Sequence, residues 1–176
     1  MFAKILAFLA LLLGGLAVAI ALQPEDFSVR RVAVMNAQPQ VVFDQVNDFH
    51  KWEAWSPWAK MDPNATTTFS GSNAGTGAVM EWSGNHEVGA GRMTIAESTP
   101  PDRILIDLEF TKPFAAISTT EFTFTPTEEG GTLAAWTMSG KNNFIGKAFS
   151  LFMDCEKTVG GQFEKGLASI KEIVEK

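Results

Sequence analysis

The chain has 176 residues, 14 Lys plus Arg against 20 Asp plus Glu, a formal charge of −6, two histidines and one cysteine. That length suits one domain of ordinary size with a short appendage, and an acidic chain without a Lys/Arg cluster excludes a phosphate-gripping nucleic-acid face. Cys155 alone excludes an internal disulfide framework, and with only His50 and His86 beside it no metal site or cofactor is expected.

Residues 5–22 run for eighteen positions without a charge or a strong polar group. As a helix they span about 27 Å, close to the roughly 30 Å of a bilayer's hydrocarbon. Lys4 stands just before them, where its side chain can snorkel to the interface. Residues 1–25 are therefore read as an N-terminal transmembrane anchor or signal sequence. Ala19, Ile20 and Ala21 supply a small-x-small cleavage pattern. Against cleavage, the apolar run exceeds a signal core of about 7–15 residues and only one lysine precedes it, so the uncleaved anchor is favoured. Lys4 and the α-amino group place the domain on the outer (periplasmic or extracellular) face, a bias that Arg30 and Arg31 weaken.

Residues 26–176 show no repeat or long linker and read as one domain. Strand alternation predicts strands near 27–35, 66–70, 78–82, 91–97, 103–110, 119–125 and 132–139. Inward sets follow: Met80 with Trp82, Met93 with Ile95, then Ile104, Ile106, Leu108 and Phe110, then Phe122 with Phe124, and Ala134, Trp136 and Met138. Turn chemistry at Gly84 and Asn85, at Pro100 and Pro101, and at Gly130 and Gly131 keeps the joints short. Short joints imply an antiparallel meander, because parallel neighbours need a long crossover.

Two helices are expected around the sheet. Pro39 opens one that ends near Asn47, with Val42, Phe43 and Val46 at helical spacing. The other runs from about 146 to 174, striped by Phe149, Phe152, Met153, Val159, Phe163, Leu167, Ile170 and Val174. Gly160 and Gly161 interrupt that stripe, which predicts a kink or close packing against the sheet. The order of elements gives an α+β fold, a curved antiparallel sheet of about seven strands around a long C-terminal helix.

The segment from Asn47 through Trp52, Trp55, Ser56, Pro57 and Trp58 resembles the SRPBCC superfamily, the START-like group with polyketide cyclase/dehydrase and lipid-transport relatives. Gly71 to Gly77, Glu81 to Asn85, Gly89, Gly91 and Met93, and the closing Val159, Gly160, Phe163, Glu164, Gly166, Leu167, Ile170 and Lys171 resemble the same group in the same order. The resemblance implies a helix-grip fold with a hydrophobic cavity between sheet and long helix that holds apolar small molecules. It does not imply a reaction.

Cavity-lining candidates are Trp58, Met80, Trp82, Met93, Ile95, Leu108, Phe110, Phe122, Phe124, Trp136, Met138, Phe149, Phe152 and Met153. Periodicity places most of them inward but does not decide whether they fill a core or line a pocket. Trp52, Trp55 and Trp58 either seal one end of the sheet, gate a cavity mouth or dip into a bilayer interface. His50 beside Asp48, and His86 near Glu81 and Glu87, are the candidates for acid/base work, with surface roles as the plainer reading. Cys155 reads as an inert helix thiol. The expected function is binding, sequestration or transport of a hydrophobic small molecule or lipid by a membrane-tethered domain. A cyclase or dehydratase acting on a polyketide-type substrate is the alternative, disfavoured by inward faces nearly free of titratable groups. An interaction module with a collapsed core is the third reading.

Overall fold

The computed structural model describes residues 2–151 and 155–176, the side chain of Cys155 excepted. The first element is α1 (Phe2–Ala21), long and apolar enough to cross a membrane. Of its side chains only Ile20 is buried, so the domain does not use this helix as core.

Strand β1 (Asp26–Met35) follows, then α2 (Pro39–Val46), a single 3-10 turn (Phe49–Lys51) and two short helices, α3 (Trp52–Trp55) and α4 (Pro57–Met61). Strands β2 (Thr66–Gly71), β3 (Ala78–Ser83), β4 (Ala90–Thr99), β5 (Arg103–Lys112), β6 (Ala116–Pro126) and β7 (Thr132–Lys141) form a meander, closed by α5 (Phe144–Ser150) and α6 (Cys155–Val174). The sheet order is β1-β7-β6-β5-β4-β3-β2, with every neighbouring pair antiparallel. This is the expected α+β helix-grip architecture, and each expected strand is present, most of them one to three residues longer.

Pro39 starts α2 at a position whose N–H has no intrahelical partner. Gln38, its N-cap, makes no side-chain bond there; Val42, Phe43 and Val46 hold the helix by burial instead. The tryptophans that follow are fixed at both ends. Trp52 Nε1 donates to the Val46 carbonyl at 2.9 Å and Trp55 Nε1 to the Gln45 carbonyl at 3.0 Å, so both rings turn inward with their one polar atom satisfied. Burial of Trp52 and Trp55 corrects the idea that they dip into a bilayer.

The C-terminal region differs from the single long helix expected over 146–174. The described residues form α5 and α6, and α5 starts two residues earlier than expected, capped by Asn143 Oδ1, which accepts from the Gly146 N–H. Apolar residues of α5 remain largely exposed while those of α6 enter the core, a distinction that helical spacing alone does not carry. Phe152 and Met153 lie outside the described residues.

Helix α6 continues through Gly160 and Gly161 without a break. The glycine that matters is Gly160, where an added Cβ would collide with the Arg31 guanidinium. Arg31 rises from the inner face of β1, donates to Glu156 Oε1 at 2.7 Å and Glu164 Oε1 at 2.6 Å, and ties the helix to the sheet. Those carboxylates, Glu156 first, push the Arg31 pKa above its already high ordinary value.

Candidate functional site

The register sorts the concave face into cross-strand rows. In the middle, Arg31, Trp136, Phe122 and Ile104 sit side by side on β1, β7, β6 and β5. Nearer the end where β1 begins, Phe27, Gly140, Ser118, Leu108, Met93, Met80 and Phe69 make a row across all seven strands. Beyond it lie Ala116, Phe110, Gly91 and Trp82.

The middle of the face is filled. Phe163 of α6 stacks on Trp136 at 4.1 Å with the rings 9° apart, and Trp55 meets Trp136 edge-on at 5.7 Å. Gly166 lets the helix approach, since a Cβ there would stand 2.7 Å from the Trp136 ring. Ile95, Phe122, Phe124 and Trp136 are all buried in this cluster with Trp52 and Phe43. Trp136 Nε1 is the one buried side-chain nitrogen or oxygen without a hydrogen-bond partner among the described residues. Trp58 packs half-buried on its margin, 5.8 Å from Trp136 and 6.2 Å from Phe163.

The end rows are different. Met80, Trp82, Met93 and Phe110 point inward yet remain half-buried, as does Met138 beside them. Leu108 is buried between them. Trp82 donates to the Val88 carbonyl at 3.0 Å and lies edge-on to Phe110 at 5.8 Å, over Gly91, where a Cβ would strike its ring. Between this end of the face and α5 lies a hollow of about 150 Å³, bounded by Phe27, Phe110, Ala116, Ile117, Ser118, Met138, Lys141, Asn142, Asn143 and Gly146. Ser118 and Thr120 are buried residues, but their hydroxyl oxygens, which take no hydrogen-bond partner among the described residues, are not shut off from solvent as Trp136 Nε1 is. Phe149 packs outside the hollow, 5.3 Å from Phe114.

Of the fourteen residues expected to line a cavity, Phe110 and Met138 border the hollow, while Met80, Trp82, Met93 and Leu108 lie in the neighbouring cross-strand rows outside its lining. Phe27, Ala116, Ile117, Ser118, Lys141, Asn142, Asn143 and Gly146 were missed. Phe27 falls on the inner face by the same two-residue alternation as Val29, and Ser118 and Ala116 lie just before the point where the strand of 119–125 was started.

The titratable candidates do not gather in the hollow. Glu81 alternates with Met80 and Trp82, faces out, and pairs with Arg92 at 2.6 Å, which raises the arginine's pKa. His86 is exposed on the turn after β3. His50 is exposed at the β2 edge, its ring 4.2 Å from Phe69 and its Nδ1 2.8 Å from Asp48. Among the described residues no three His, Cys, Asp or Glu side chains come close enough together to hold a metal ion. A wider open dish of about 500 Å³ is bordered by Asp26, Phe27, Ser28, Thr119, Ser139, Gly140 and Lys141, and shares Phe27 and Lys141 with the hollow.

A seven-stranded antiparallel sheet closed on a C-terminal helix defines a helix-grip protein. The chain belongs to the family described as polyketide cyclase / dehydrase and lipid transport, which it matches over residues 26–175. Solved structures share the fold at low identity. Protein CV1439 from Chromobacterium violaceum is 16% identical with a TM-score of 0.60, covering 85% of this chain and 97% of that one. The Aha1 dimer from Colwellia psychrerythraea is 13% identical with a TM-score of 0.60, covering 85% and 96%. The di-domain ARO/CYC protein BexL from the BE-7585A biosynthetic pathway is 14% identical with a TM-score of 0.66. That match covers 90% of this chain and 53% of BexL, about half the length of the two-domain protein. No curated protein matches the sequence.

Proposed function

We propose that this protein binds an apolar small molecule, or the apolar end of a lipid, in the hollow between α5 and the end rows of the sheet. Met80, Trp82, Met93, Leu108, Phe110 and Met138 form the contact surface, with α1 tethering the domain to a membrane from its outer face. The observation that carries this reading is the contrast within one concave face: a solid aromatic centre, and half-covered apolar end rows beside a hollow rimmed by Lys141, Asn142 and Asn143.

Size limits the guest. A hollow of about 150 Å³ is what a benzene-sized molecule fills, below the roughly 300–1,000 Å³ of ordinary ligand pockets. One ring or the tip of a chain fits as the structure stands, and a larger guest enters as α5 moves aside. Transfer of apolar surface, at about 25 cal/mol per Å² before ordering terms, supplies the driving force. Met80, Met93 and Met138 adapt to more than one guest shape. Extraction of the full chain from its native membrane, followed by native mass spectrometry, tests the reading. Reproducible apolar adducts lost in a Ser118→Leu variant support it, and an adduct-free protein overturns it.

The enzymatic alternative draws on the family's cyclase members and on BexL. The unpartnered hydroxyls of Ser118 and Thr120 are what favour it, since they can orient a polar substrate. It lacks an inward acid/base pair among the described residues, and His50 meets the open rows through Phe69, 4.2 Å away at the β2 edge. Turnover of a polyketide-type substrate that falls at least tenfold in His50→Ala would replace carriage with catalysis.

A further inference from the structure

Beyond that site, and resting on the tether reading, we propose that α5 and the β5–β6 turn form a membrane-docking surface through which the hollow opens onto the lipid. The geometry begins with where α1 leaves off. Only four residues separate Ala21 from Asp26, a reach of at most about 17 Å. Asp26 pairs with Lys141, and the Asn142 N–H donates to the Glu25 carbonyl at 2.7 Å. The end of β7 therefore lies against the exit of α1.

Two further elements share that end. The turn between β5 and β6 is there because Ser118 pairs with Gly140 and Ala116 with Phe110. Helix α5 leaves directly from β7, is tied to the turn by Asn143 Nδ2 donating to the Ala115 carbonyl at 3.5 Å, and packs on α1. The hollow, bordered by Ala116, Asn143 and Gly146, opens between them.

This end carries the exposed grease of the domain. Ile117 is 74% exposed and Phe144 57%, and Phe114, Ile145, Phe149 and Leu151 are exposed with them. The large apolar residues exposed elsewhere after Leu22 are Val32, Val34, Val41 and Phe69, spread over β1, α2 and the β2 edge. Lys112 stands at the turn and Lys147 on α5, where ammonium groups meet anionic headgroups. Continuity with α1 selects the occupant: a helix that ends within about 17 Å of Asp26 and packs on α5 holds the patch on α5 at the interface of the bilayer it crosses. A guest thereby passes from acyl chains to the hollow without crossing water.

The test uses the full chain carrying Cys155→Ser and one new cysteine at a time, Phe114→Cys, Ile117→Cys, Ile145→Cys or the distant Val34→Cys. Each is labelled with an environment-sensitive fluorophore and reconstituted in phosphatidylcholine–phosphatidylglycerol vesicles containing doxyl-labelled lipid. Quenching at the three tip positions at least threefold stronger than at position 34 is expected. Tip quenching no greater than at position 34, in a chain that resists alkaline carbonate extraction, overturns docking and leaves the tether standing. Carbonate release with tip quenching retained supports docking and overturns the tether alone. Carbonate release without tip quenching overturns both. Blue-shifted but unquenched tip probes assign the patch to a protein partner or a second copy, against the proposal.

Discussion

Ser118→Leu separates a real hollow from a filled core by the sign of its effect. Ser118 borders the hollow, is buried, and loses no hydrogen bond on substitution. If there is room for the larger side chain, it gains about 2 kcal/mol of apolar burial, which for a domain of this size raises the melting temperature by roughly 4–8 °C, less whatever strain its rotamer carries. In a solid core the same change overpacks, at about 1–3 kcal/mol, and melting falls by roughly 2–12 °C. The assay pairs thermal unfolding of residues 26–176 with fluorine NMR of fluorobenzene as a small apolar guest. Burial of on the order of 150 Å² of the guest corresponds to about 4 kcal/mol, hence a Kd of about 1 mM or weaker for the wild-type domain. The variant should melt no lower than wild type and lose the guest. A variant that melts several degrees lower, or binds fluorobenzene unchanged, refutes the reasoning.

Adjacent glycines on α6 should respond oppositely. Gly161 faces open space, so Gly161→Ala gains about 1 kcal/mol of helix propensity, while Gly160→Ala displaces the Arg31 guanidinium from its carboxylates and loses about 1–2 kcal/mol, both read by urea unfolding. Asp62→Ala removes the acceptor for the Asn85 N–H at 2.6 Å and the Asn64 N–H at 3.0 Å, with an expected loss of about 1–3 kcal/mol in the same measurement. The Lys141 pKa is raised above its ordinary 10.5 by its hydrogen bond to Glu25. Its contribution is therefore complete below that value and disappears as pH climbs through the raised one. Hydrogen exchange at the β1–β7 end should quicken there in wild type and show no such step in Lys141→Met.

The strands were legible because each buries one face, so two-residue alternation records the side of the sheet directly. Ile104, Ile106 and Leu108 are buried while Asp107 and Glu109 are exposed. What alternation leaves out is the third layer. Trp136 and Met138 stand two residues apart on one strand face, yet Trp52, Trp55 and Phe163 close over the first and leave the second half-covered. Filling versus lining is decided by where the helices between β1 and β2 fall, a tertiary matter absent from any local window. The same gap explains α5. Phe144, Ile145 and Phe149 count as apolar in a periodicity scan whether they face a core, a hollow or a membrane.

The most direct measurement of the binding account is photo-crosslinking of the full chain with a diazirine-tipped fatty acid, read by peptide mapping. Adducts concentrated on peptides holding Phe27, Phe110, Met138 and residues 144–150, and lost in Ser118→Leu, are the predicted result. Adducts confined to the outer face of the sheet, or undiminished in that variant, would contradict it.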